Sequence, residues 1–194
     1  MQTAQISDNE LIVSYLQGNE SALSELVKRH KRKIFTSIYM LVRNRELAED
    51  IFQDTFIKVI NTLKAGNYHE EGKFLPWVSR IAHNLVIDHF RKQKRMPLSH
   101  DTEEYSIMDN IRFKDDNVQD RMIKQQIHDH VKQLIEELPD EQREVVLMRI
   151  YGNLSFKEIA EATNVSINTS LGRMRYALIN LRRIIKEHNI VLTN

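Results

Sequence analysis

The chain has no cysteine, and its 194 residues include only five glycines, three prolines and one tryptophan. Without thiols there are no disulfides and no thiolate metal sites, which fits a reducing cytosol. So few glycines and prolines supply too few turns for a many-stranded sandwich or barrel, so an all-α fold is expected. No apolar run approaches the roughly 20 residues that span a bilayer. The N-terminal M-Q-T-A-Q-I-S-D-N-E is polar and lacks the basic-then-apolar pattern of an export signal. A cytoplasmic protein, not itself membrane-inserted, is therefore expected. Charge of one sign is lacking too. Basic residues number 28 and acidic residues 27, for a net charge of +1, so total charge says nothing about nucleic acid.

The distribution of charge is more informative. Lys28 to Lys33 and Arg91 to Arg95 are basic runs, and Arg173 to Lys186 holds five basic residues and no acidic one. Asp101 to Asp120 holds seven acidic residues against Arg112 and Lys114. This pattern reads as basic lobes joined by an acidic connector. Helical periodicity gives the same division. Ser7-x-x-Glu10 is a capping box opening a helix with Leu11, Ile12, Tyr15 and Leu16 inward. Asn19 and Asn44 are set to cap the next two, the second using Ala48, Ile51, Phe52, Phe56, Val59 and Leu63 as its core face. Pro76 fits the first turn of a fourth, which runs to about Lys92. These helices define an N-terminal domain over residues 1–96. Residues 97–121 read as an acidic linker in which Tyr105, Ile107, Met108, Ile111 and Phe113 hint at docking. Residues 122–194 form a second small helical domain, broken at Leu138-Pro139-Asp140.

Within that second domain, Leu154 to Arg183 reads as a helix-turn-helix. Ser155 and Glu158 form a second capping box, Asn164 takes the turn and Ser166 caps a longer helix. Leu171, Met174, Leu178, Leu181 and Ile185 are expected to face the core. Thr169, Gly172, Arg173, Tyr176, Asn180 and Arg183 then lie on the other face, where small polar groups and bidentate donors suit a DNA major groove. The competing reading is an amphipathic hairpin with a solvated basic face.

Three motifs in order resemble one family. L-P-D-E-Q-R-E-V-V-L-M-R (138–149), followed by S-F-K-E-I-A-E, resembles the C-terminal domain of sigma factors. A-E-D-I-F-Q-D-T-F-I-K-V (48–59) resembles their polymerase-gripping segment, and F-L-P-W-V-S-R-I-A-H-N-L-V-I-D-H-F-R (74–91) their promoter-melting helix. The match is to the extracytoplasmic-function (ECF) group of the sigma-70 family and covers about residues 8 to 187.

The resemblance implies an alternative sigma factor with core RNA polymerase and promoter DNA as partners, and an anti-sigma factor besides. It implies no enzyme activity, no cofactor, no metal and no small-molecule substrate. It assigns Asp50, Gln53, Asp54 and Ile57 to the polymerase; two carboxylates, an amide and an exposed aliphatic suit protein better than DNA. It assigns Lys73, Trp77, Arg80, Asn84, Asp88 and Arg91 to the −10 region. There basic groups neutralise phosphates, Asn84 offers a donor and an acceptor, and Trp77 is either a stacking platform or a core aromatic. A helical wheel puts Val78, Ala82, Leu85 and His89 on the buried side of that helix. The loop Gly66 to Lys73 would capture a flipped base. Ser166, Asn168, Thr169, Gly172, Arg173, Arg175, Tyr176 and Arg183 fall to the −35 region. Asp101, Glu103, Glu104, Asp115 and Asp116 would mimic phosphates along the polymerase's RNA path.

The recognition helix departs from the family pattern at Leu171, Gly172 and Tyr176, which bears on promoter preference. His128-x-His130 does not make a metal site, because residues two apart point to different helix faces. A stand-alone helix-turn-helix regulator would need neither the 48–59 segment nor the Trp77 helix. An all-helical metal hydrolase would need a compact Glu/His ligand set that is not seen.

Overall fold

A computed structural model describes residues 6–69, 72–95 and 131–188. The acidic linker with its carboxylates and apolar residues, the stretch from Met122 to Ile127, the pair His128 and His130, and Glu70 and Glu71 of the base-capture loop lie outside the described residues.

The described residues are all-helical or irregular. In the N-terminal domain, α1 (Asp8–Leu16) begins at Ser7. Ser7 Oγ accepts the Glu10 N–H at 3.3 Å, and the Glu10 carboxylate accepts the Ser7 N–H at 2.7 Å. α2 (Glu20–Val42) starts on Asn19, and α3 (Arg45–Lys64) on Asn44, whose Oδ1 accepts the Leu47 N–H at 2.9 Å. Each cap satisfies an amide that the first helical turn leaves without a partner. Arg43, between α2 and α3, takes the left-handed conformation at φ 55°. α4 (Phe74–Arg95) carries Pro76 in its first turn.

The four helices enclose Leu26, Ile34, Ile38, Val59, Leu63, Phe74 and Val78, all essentially without exposure. Asp8 ties α1 to α2. Its two oxygens lie 2.7 Å from Arg29 Nη1 and 2.7 Å from His30 Nε2. The basic run is therefore only partly solvated: Lys28, Lys31, Arg32 and Lys33 are exposed, whereas Arg29 is half-buried and His30 is buried against Phe74.

Residues 131–136 are helical and open the described part of the C-terminal domain. α5 (Asp140–Ile150) has no side-chain cap at Pro139. The buried Arg143 instead reaches back, donating to the carbonyls of Leu138 at 2.6 Å and Glu136 at 3.2 Å and to the Asp140 carboxylate at 2.9 Å. Burial, together with the neighbouring charge of Arg43, lowers its pKa from the usual arginine value despite the Asp140 and Glu136 carboxylates. α6 (Phe156–Thr163) starts on the Ser155–Glu158 capping box and ends at Asn164, left-handed at φ 54°. α7 (Ile167–Glu187) starts on Ser166, whose Oγ accepts the Thr169 N–H at 3.0 Å. Two helices joined by this tight left-handed turn make the helix-turn-helix.

Three expected core faces differ from those observed. α7 buries Ser170, Ala177 and Ile184, with Met174, Leu181 and Ile185 half-buried, while Leu171 and Leu178 stay 44% and 41% exposed. The small Ser170 and Ala177 let α7 lie close to its neighbours, so its phase is set by fit and not by the largest side chains. On α4 the buried row is Trp77, Val78, Ala82, His83 and Val86, with Leu85 and His89 only half-buried. Leu16 of α1, read as inward, is exposed.

Trp77 is the consequential correction. It is 9% exposed, with its ring 4.6 Å from that of Tyr68 and 5.9 Å from that of Phe74. It is a core aromatic and presents no face on which a base could stack. Trp77→Ala should therefore destabilise the N-terminal domain by about 3–5 kcal/mol, the usual cost of emptying a buried aromatic site, while Trp77→Phe should cost much less. Urea titrations followed by circular dichroism check this; a loss within about 0.5 kcal/mol, as for a surface position, would contradict the burial.

Candidate nucleic-acid interface

Three outward surfaces carry the candidate residues. On α3, packing of Ala48, Ile51, Thr55, Phe56, Val59 and Leu63 into the core turns Asp50, Gln53, Asp54 and Ile57 outward together. All four are exposed, and Ile57 is 54% so, an apolar group beside two carboxylates.

On α4 the burial of Val78, Ala82 and Val86 leaves Asn84, Asp88 and Arg91 exposed on one stripe. Arg91 Nη1 lies 3.6 Å from Asp88 Oδ1, with both side chains more than half exposed, so the pair is worth little and remains able to exchange partners. Arg80 is half-buried and Lys73 exposed. Both lie toward the helix-turn-helix. Lys73 Nζ is 3.8 Å from Glu158 Oε1. Burial pushes the Glu158 carboxyl up, but its hydrogen bonds to Ser155 and the charges of Lys73 and Arg80 outweigh that and hold it below the ordinary glutamate value. Gly66 and Gly72, at φ 70° and 72°, bracket the loop before α4, a backbone that residues with a Cβ rarely adopt.

On α7 the candidates divide. Ser166 is committed to capping, and Thr169 Oγ1 lies 2.8 Å from its hydroxyl. Asn168, Arg175, Tyr176 and Arg183 are exposed, Tyr176 at 62%. Arg183 pairs along the helix with Glu187 at 3.1 Å. Gly172, Arg173 and Tyr176 form one wall of a shallow groove with Thr169, facing Glu141 and Gln142 of α5. Asn180, read as outward, is half-buried and donates to Gln142 Oε1 at 2.8 Å, so it helps dock α7 on α5. Arg182, exposed on the same helix, extends the basic surface and was passed over in the sequence.

His83 and Glu144 also escaped notice. His83 is buried, and its Nε2 lies 2.8 Å from Glu144 Oε1 across the two domains. A lone histidine within an apolar helical row was the only sign available. The described residues contain no group of side chains arranged to hold a metal ion and no helix long and apolar enough to cross a membrane.

These surfaces sit on a chain whose two halves each match a known family description. Residues 26–96 match Sigma-70 region 2, and residues 128–173 match Sigma-70, region 4. The chain belongs to the sigma-70 family, in its ECF group. Among its relatives is the ECF RNA polymerase sigma factor SigW of Bacillus subtilis, 28% identical over 177 residues, with 88% of this chain and 92% of the relative covered. The ECF RNA polymerase sigma factor SigE of Mycolicibacterium smegmatis is 28% identical over 175 residues, covering 89% of this chain and 66% of the relative. The co-crystal structure of the sigma factor RpoE with the anti-sigma factor NepR from Bartonella quintana shares the fold, with a TM-score of 0.61, 18% identity and coverage of 84% of this chain and 96% of that one.

Gly172 is a weak point of the family's recognition helix in this chain. A Cβ built there meets nothing within 4 Å, so an added methyl has room. Gly172→Ala should raise C-terminal domain stability by about 0.5–1 kcal/mol through helix propensity. Chemical denaturation checks it, and an unchanged or lowered midpoint would show that the site is more crowded than described.

Proposed function

We propose that the chain is an alternative sigma factor that binds core RNA polymerase and directs promoter-specific initiation. The supporting observation is the segregation of three chemically different outward surfaces on one small chain. The α3 stripe of Asp50, Gln53, Asp54 and Ile57 meets the polymerase, where carboxylates and an exposed aliphatic suit a protein partner and would repel DNA. The α4 surface of Lys73, Arg80, Asn84, Asp88 and Arg91 meets the −10 region, with the cations on phosphates and Asn84 on an exposed base edge. The α7 face of Asn168, Thr169, Gly172, Arg173, Arg175, Tyr176 and Arg183 meets the −35 duplex, and Ser166 holds the helix start. The protein works by binding and by strand opening in the cytoplasm and does no bond-making chemistry. Residues 1–96 carry polymerase binding and −10 opening, residues 97–121 link, and residues 122–194 read the −35 duplex. An anti-sigma factor, such as the one bound to the RpoE of similar fold, would regulate it.

Asp50→Ala with Asp54→Ala should weaken retention of the protein on immobilised core polymerase and leave thermal unfolding unchanged, because both side chains are exposed. Undiminished retention would take this stripe out of the polymerase interface.

Asn84→Ala with Arg91→Ala addresses opening. Neither residue supports the core. Transcription from a closed linear duplex should fall more than transcription from a template with a pre-melted −10 bubble, since the bubble removes the unstacking cost that these contacts offset. Equal losses on the two templates, with normal permanganate reactivity of duplex thymines, would mean that the α4 surface binds without opening.

A further inference from the structure

The two domains meet along the side of α4 that faces the helix-turn-helix. At the centre of this contact the His83 ring N–H donates to Glu144 Oε1 at 2.8 Å, with the His83 side chain 4% and that of Glu144 17% exposed. The other oxygen of the same carboxylate, Oε2, lies 3.8 Å from Arg173 Nη1. One side chain of α5 therefore touches both the promoter-opening helix and the recognition helix. Around it, Lys73 approaches Glu158 at 3.8 Å, and Arg43 Nη2 donates to the Glu136 carbonyl at 2.7 Å. Met40 of α2 is fully buried in the C-terminal core. Gly152 closes the seam: a Cβ there would stand 3.0 Å from Ser79 Cβ of α4, 2.7 Å from the Met148 carbonyl and 2.5 Å from Leu154 Cδ1.

Lys73 and Arg173, two cations assigned above to the promoter, thus lie against carboxylates of the protein itself. We propose that Glu144 is an autoinhibitory latch, holding the free protein closed by bridging His83 of α4 and Arg173 of α7 until promoter phosphates and core polymerase replace it. The inference rests on the proposed function. A carboxylate and a phosphate compete for the same guanidinium, so the closed form binds DNA poorly. The free protein's apparent affinity is then lowered by the fraction that is open. A polymerase that engages only the open form shifts that population.

The test uses the full-length protein. Because it has no cysteine, Asn61→Cys on α3 and Glu161→Cys on α6, both exposed, accept a donor–acceptor dye pair at defined sites. Free wild type should give a high-transfer population. Glu144→Ala and the near-isosteric Glu144→Gln should move it to low transfer. The same variants, without polymerase, should bind a mixed-sequence DNA duplex about fivefold or more tightly, the lower end of usual coupling strengths. Run-off transcription with saturating core polymerase should not change. Unaltered transfer in both folded variants overturns the latch, and so does weaker duplex binding by both, which is what loss of a merely structural contact would produce. Wild type that is active in run-off but low-transfer when free overturns the latch alone, whereas a high-transfer wild type that gives no run-off product overturns the proposed function.

Discussion

Helix ends govern this molecule. The first amides of every helix need acceptors, and with so few glycines and prolines the chain sets most helix starts with short polar side chains. Ser7, Asn19, Asn44, Ser155 and Ser166 each accept a backbone N–H at the first turn. α5 has no such cap at Pro139, and the buried Arg143 braces its approach through the carbonyls of Leu138 and Glu136. Starting points fix helical phase, and phase decides which residues are buried and which look outward. On α3 the start at Asn44 puts Ala48, Ile51, Phe56 and Val59 inside and so turns the Asp50 to Ile57 stripe out. A shift of one residue would rotate that stripe by about 100°.

Much of this was legible because capping is local. Both Ser-x-x-Glu boxes, the two asparagine caps and the left-handed Asn164 stand where the spacing put them. The α3 stripe was legible for the same reason, since one strongly apolar face leaves little choice about the other. Where packing is decided by fit and not by hydrophobicity, the pattern misleads. Leu171 and Leu178 look like core residues by type, yet Ser170 and Ala177 take the buried positions because their small size allows close approach. Trp77 looked suited to stacking because its neighbours carry charge, yet its ring lies with Tyr68 and Phe74, one of them nine residues back across the loop. The His83–Glu144 contact joins residues 61 apart, and no local pattern encodes it.

The electrostatic design follows from a net charge near zero. With 28 basic and 27 acidic residues, the chain cannot be drawn to DNA by its total charge, so binding must come from cations gathered locally. α7 gathers them on one side, where Arg173, Arg175, Arg182 and Arg183 follow one another within three turns. α3 gathers carboxylates instead. α5 and α6 place Glu144 and Glu158 between the two basic surfaces. The same acidic groups that hold the domains together thus oppose the DNA contacts, which couples domain arrangement to promoter engagement.

The central claim is that this chain confers promoter selection on core RNA polymerase. The most direct measurement is transcription by purified core enzyme on a fragmented genomic template, with and without the wild-type protein, followed by sequencing of RNA 5′ ends. The expected result is a small set of start sites that appears only when the protein is added, with a shared upstream pair of elements at fixed spacing. Identical start sites with and without it, while the protein remains folded, would contradict the account.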